Sequence, residues 1–201
     1  MAITTEQIKA LREQTGVGIL DCRKALEDAN GDYDLALENL RAKGIATAAK
    51  RADREASEGI VELYSHGDGR VGVMVEVNCE TDFVARSKEF RNFAHEIALQ
   101  IAAAAPSYIR AEDVPDEILD LRRSIVREQA LEEGKPENIV DKIVDGRIQK
   151  YVQELCLLNQ EYIRDDKVTI EQLLLENIAA IGENIIIRRF ERWELGQSSA
   201  I

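Results

Sequence analysis

The sequence predicts an α+β protein: three short helices at the N-terminus, then a core in which a small antiparallel sheet packs with longer helices. Three observations carry this. The first 44 residues hold three helical patterns joined by short turns. The run "RVGVMVEVN" alternates at strict period two, the mark of a strand with one buried face. Amphipathic stretches and a closing β-branched, aromatic run then fill the rest. The domain boundary is expected near the linker, giving residues 1–54 as the helical module with its linker and 55–201 as the α+β core.

Each element has a local cause. Thr4 and Gln7 have capping-box spacing ahead of Ile8 and Leu11, and Gly16 and Gly18 break that first helix. In "GILDCRKALEDANG", Ile19, Cys22, Leu26 and Ala29 share one face, and Asn30-Gly31 stops the helix. In "DYDLALENLRAKG", Asp32 or Asp34 caps, Leu37 and Leu40 point inward, and Gly44 ends the helix. The linker follows. Residues 41–54 carry five basic residues and one acidic, against a net charge of -12 for the whole chain. They read as a solvated connector or as a contact patch for an acidic partner.

"EGIVELYS", the turn "HGDG" and "RVGVMVEVN" make a hairpin, with Val71, Val73, Val75 and Val77 on one face. Phe90, Phe93, Ala94, Ile97, Ala98 and Ile101 mark a long amphipathic helix. "APSYIRAEDVPDE" reads as a loop. Helices over about 116–133 and 137–155 are parted by "GKP". Thr169 and Gln172 open another helix, and "ENIIIRRFERWELG" reads as a final strand.

Composition narrows the function. A strongly acidic chain is a poor match for nucleic acid, whose phosphates demand Lys and Arg, and for an anionic membrane surface. No apolar run is long enough to span a bilayer, and "MAITTEQIKALREQ" shows no secretory pattern. Cys22, Cys79 and Cys156 are odd in number and far apart, which suits reduced thiols in a cytoplasmic setting. No metal site is expected, since only His66 and His95 could join them. No phosphate-cradling loop, dinucleotide fingerprint, nucleophile elbow or zinc-protease motif is present, so no catalytic residue and no cofactor is expected.

One stretch, "VNCETDFVARSKEF", sets a thiol, a carboxylate and an aromatic ring at the turn between strand and helix. A thiol site of Cys79, Asp82 and His95 is the weaker reading, and a buried, inert Cys79 the stronger. By periodicity Phe83, seven residues before Phe90, falls on the buried face of one helix, with Asp82 as its N-cap.

Several stretches resemble the elongation factor Ts family: "LREQTGVGILDCRKALEDANGDYDLALENLR", "EVNCETDFVAR", "GKPENIVDKIVDGRIQKYVQE", "LLNQEYIRDDKVTIEQLL" and "IGENIIIRRFERWELG". The resemblance implies a ubiquitin-associated-like N-terminal module and a nucleotide exchange factor for the GTPase elongation factor Tu, without catalysis of its own. It implies that Thr81, Asp82, Phe83 and Val84 intrude near the partner's Mg²⁺ site, with Phe83 as the wedge. It also implies a second contact at Leu11, Arg12, Thr15, Gly16, Gly18 and Ile19. Longer family members carry two related halves in the core, plus an inserted helical hairpin, whereas this chain has one β-hairpin and one closing strand. It therefore resembles the short form, which is expected to form a homodimer. Ile185, Ile187, Phe190 and Trp193 of the last strand would either supply apolar surface for that dimer or complete the monomer's own core.

Overall fold

The computed structural model describes residues 3–197, and its architecture is α+β. One compact unit takes in the chain up to Ala98 and resumes at Glu171; the other is Leu99–Ile170.

The first unit opens with helices α1 (Thr5–Thr15), α2 (Ile19–Asp28) and α3 (Tyr33–Ala49). Thr4 and Gln7 form the expected capping box, and Asp32 caps α3 through the Leu35 N–H. Leu11, Cys22, Ala25, Leu26, Ala29, Ala36 and Leu40 make a small buried core. Two expectations fail here. Ile19, assigned to the inner face, is 52% exposed, because it starts α2 at the rim while Val17 packs against the core in its place. Helix α3 does not end at Gly44 but runs on to Ala49, through the first five residues of the expected linker. Gly44 lies against a neighbouring helix there: a Cβ on it would stand 3.4 Å from the Cβ of Ala179, at the edge of ordinary contact. Gly16 does the same at 3.2 Å from Ala180 Cβ, in a left-handed conformation (φ 65°) that glycine adopts without strain. Both alanines belong to α8 (Ile170–Ile181), and Arg41 pairs with Glu176 of that helix at 2.8 Å.

Strands β1 (Glu58–His66), β2 (Val71–Cys79) and β5 (Ile186–Glu194) form one antiparallel sheet in the order β1-β2-β5. The β1–β2 pairing runs without a break from Glu58↔Cys79 to His66↔Val71. Between β2 and β5 the register shifts at Glu76/Val77, leaving Arg188 as a bulge. Val73, Val75, Val77 and Ile187 are buried on the inner face. Helix α5 (Lys88–Ala104) lies against that face: His95 Nδ1 is 2.9 Å from Glu62 Oε1, and its ring meets Tyr64 edge-on at 5.6 Å. Of the last strand's apolar residues, Ile185 and Ile187 are buried and Phe190 half-buried, so they complete the core; Trp193 alone of the four is exposed, at 78%.

In the second unit, helices α6 (Asp116–Glu132) and α7 (Glu137–Leu155) fold back on one another around Val126, Ala130, Val140, Val144 and Ile148. The short pair β3 (Glu161–Tyr162) and β4 (Asp165–Thr169) is absent from the sequence-based expectation, because two to five residues are too few to show an alternation. Gln100, fully buried, holds this region by donating to Gln160 Oε1 and the Glu161 carbonyl, both at 3.1 Å, and accepting from the Ile163 N–H at 3.0 Å. Among the described residues no helix is long and apolar enough to cross a membrane.

Candidate functional site

The end of β2 delivers the chain into a turn and a helix of only four residues, α4 (Asp82–Ala85). Thr81, with extended backbone (φ -129°, ψ 154°), is its N-cap, and its hydroxyl accepts the Val84 N–H at 3.4 Å. This corrects the assignment of Asp82 as cap. Asp82 already has helical backbone, so its side chain cannot take the capping position, and it pairs with Arg86 at 3.1 Å. Phe83 is 83% exposed. Periodicity counted back from Phe90 assumes a continuous helix, but Arg86 and Ser87 separate α4 from α5, and the break turns Phe83 outward while Ala85 and Phe90 stay buried. Val84 is half-buried.

Cys79 has no exposed surface, and its thiol donates to the Thr81 carbonyl at 3.2 Å. Burial, reinforced by the nearby Glu183 carboxylate, pushes its pKa up to about 11, so it is a neutral thiol at neutral pH. His95 is engaged with Glu62 and Tyr64, which leaves no thiol–imidazole pair at this corner. Among the described residues no group of three or more His, Cys, Asp or Glu could hold a metal ion.

The N-terminal residues divide into two kinds. Leu11 is fully buried, and Thr15 is buried with its hydroxyl donating to the Leu11 carbonyl at 2.6 Å. Arg12, Gly16, Gly18 and Ile19 reach the surface. Beside them Leu20 is 80% exposed, an apolar side chain that sequence reasoning passed over. Its signal was present: Leu20 stands off the face shared by Cys22, Leu26 and Ala29. Thr15, Gly16 and Val84 line one open cleft of about 550 Å³ with residues of α5 and α8, so the structure brings the two predicted contact regions to a common concavity.

The basic stretch is largely spent within the chain. Besides the Arg41 pair, Lys43 meets Asp21 at 2.7 Å, Arg51 donates to the Ile178 carbonyl at 3.3 Å, and Arg54 lies 3.4 Å from Glu80. The outer face of the sheet is apolar at one end. Leu63, Met74 and Trp193 are exposed there around a shallow depression over Gly72 that Glu191 also lines, and Val61 is exposed nearer the middle of β1.

A family model described as elongation factor TS matches residues 36–197. The chain belongs to the elongation factor Ts family. It is 58% identical over 198 residues to elongation factor Ts of Carboxydothermus hydrogenoformans, covering 98% of this chain and 91% of that one. Against elongation factor Ts of Caldanaerobacter subterraneus subsp. tengcongensis it is 58% identical over 195 residues, covering 97% and 98%. Elongation factor Ts of Moorella thermoacetica is 54% identical over 195 residues, covering 97% of this chain and 96% of that one. These relatives extend the match through the N-terminal helices that precede the residues matched by the family model. Membership of the elongation factor Ts family makes the chain a translation elongation factor.

Proposed function

We propose that the chain is a guanine nucleotide exchange factor for elongation factor Tu, acting by binding alone. The observation that carries this reading is Phe83: a large apolar ring, 83% exposed, on a short turn tied to the core. An aromatic ring held clear of its own protein is available to enter another. A GTPase retains GDP through its phosphate loop and Mg²⁺. A factor that binds the empty GTPase better than the GDP form weakens GDP binding by the same ratio. A ten-thousandfold ratio corresponds to about 5.5 kcal/mol. Phe83 would press between partner helices near the Mg²⁺ site, with Asp82 and Val84 beside it and Thr81 shaping the turn. Arg12, Ile19 and Leu20 would make a second contact, supported from beneath by Leu11 and Thr15 and shaped by Gly16 and Gly18. In this reading residues 1–54 act as the partner-gripping module and 55–201 as the core that carries the wedge. The factor needs no cofactor or metal of its own, touches neither nucleic acid nor membrane, and works in the cytoplasm. The test is release of labelled GDP from elongation factor Tu, with and without excess Mg²⁺. Acceleration that excess Mg²⁺ opposes is expected, and no acceleration would overturn the reading.

The exposed sheet face supports a homodimer. Three nine-residue strands present about 30 Å by 15 Å, and the exposed Leu63, Met74 and Trp193 at one end of that face would meet their own copies across a two-fold axis. Face-to-face packing over so small an area is at the low end for stable association, so a concentration-dependent dimer is expected.

A further inference from the structure

Helix α4 is too short to stabilise itself, since a single helical turn nucleates at a net cost. What holds Phe83 in place must come from elsewhere in the fold. The turn before it is gripped by a loop that lies 102 residues away in sequence. One oxygen of the Glu183 carboxylate accepts the N–H groups of Glu80 and Thr81, at 3.1 and 3.0 Å. The other accepts the Thr81 hydroxyl proton at 2.7 Å. That hydroxyl oxygen is the one that accepts the Val84 N–H and so caps α4. The grip is returned. The Glu80 carboxylate accepts the Asn184 N–H at 2.7 Å, and the Asn184 side chain donates to the Ala52 and Arg54 carbonyls at 3.3 and 2.8 Å.

Resting on the exchange reading and deepening it, we infer that Glu183 is a positioning residue: its carboxylate clamps Glu80 and Thr81 so that Phe83 meets the partner as a rigid wedge. The physical need is clear. Deforming a metal site requires the ring to push back. On an unclamped turn the ring would yield, and docking would have to order the backbone of each freed residue first. The carboxylate suits the task because two strong acceptor oxygens can take three converging donors. Glu183 thereby acts through the turn that it holds, by bonds made inside its own chain.

The test compares the full chain with Glu183→Ala, Glu183→Gln and Thr81→Val. In the free protein, Glu183→Ala is expected to speed amide hydrogen exchange at Glu80, Thr81 and Val84 at least about tenfold. Amides of the β1–β2 ladder should keep wild-type protection, which shows that the fold is intact. At saturating concentration the maximal rate of stimulated GDP release should fall about tenfold in Glu183→Ala and Thr81→Val. It should fall less in Glu183→Gln, which keeps one acceptor oxygen. In a Phe83→Ala background, Glu183→Ala should cost nothing further, because the clamp acts through the ring. Unchanged amides in Glu183→Ala would overturn the clamp. Loosened amides with unchanged release, or a full additional loss in the Phe83→Ala background, would overturn its positioning role. If the wild-type chain gave no stimulation, the exchange reading would fall, and the clamp itself would still be decided by the amides.

Discussion

Replacing Phe83 by Ala separates a core residue from a working one. A buried Phe truncated to Ala costs about 3–5 kcal/mol of folding stability. Phe83 is 83% exposed, so the folded chain has little packing to lose there, and the expected change is within about 0.5 kcal/mol. The complex should behave in the opposite way. An aromatic side chain buries about 150–250 Å², and with most of that still exposed roughly 150 Å² is available for a partner to cover. At about 25 cal/mol per Å² this is close to 4 kcal/mol, of which the retained Cβ keeps a part. A loss of about 2–4 kcal/mol corresponds to about 30- to 900-fold in stimulated GDP release. Stopped-flow release of a fluorescent GDP analogue from elongation factor Tu measures it, with thermal unfolding of the free variant alongside. Wild-type release rates in the folded variant would refute the wedge. A large drop in stability would refute the exposed placement on which the estimate depends.

Other regions make independent predictions. Ile19→Ser together with Leu20→Ser should weaken the complex about tenfold, by titration calorimetry, while the melting temperature stays within a few degrees, because both side chains are largely exposed. Cys79 should be unreactive toward thiol reagents in the native state near neutral pH. Its pKa is raised from 9.0 to about 11, so the folded chain keeps a proton that the unfolded chain has lost. Stability should therefore decline as pH rises from about 9 toward 11, by at most about 2–3 kcal/mol, and denaturant titrations should show less of that decline in Cys79→Ala. Trp193→Glu should keep the chain monomeric at concentrations where sedimentation finds the wild type dimeric. Dilution should also shift the emission of the wild type's single tryptophan.

Much of the fold is legible locally. The capping box at Thr4 and Gln7, the alternation of Val71, Val73, Val75 and Val77, and the "GKP" break are each satisfied within a few residues. Where the reading slipped, a distant element had decided the outcome. Gly44 looks like a helix stop until it is found buried against Ala179 of α8 inside a continuing helix. Ile19 looks like core until Val17 is found packed there instead. The basic charges of residues 41–54 look unattached until Glu176, Asp21 and Glu80 are seen to meet them.

By itself the sequence determined the α+β class, the order of the main elements and, through its matched stretches, the turn on which function is proposed to rest. Caps, breaks and periodicities act over one or two turns of chain, and those distances are visible in a string of residues. Tertiary structure alone decided depth and support. Periodicity can say that Phe83 and Phe90 are two helical turns apart, but not that the helix breaks between them and turns one ring to solvent. Nor can it say that a carboxylate 102 residues from Thr81 holds that turn still. Exposure and rigidity come from contacts between segments remote in sequence, and only folding brings those segments together.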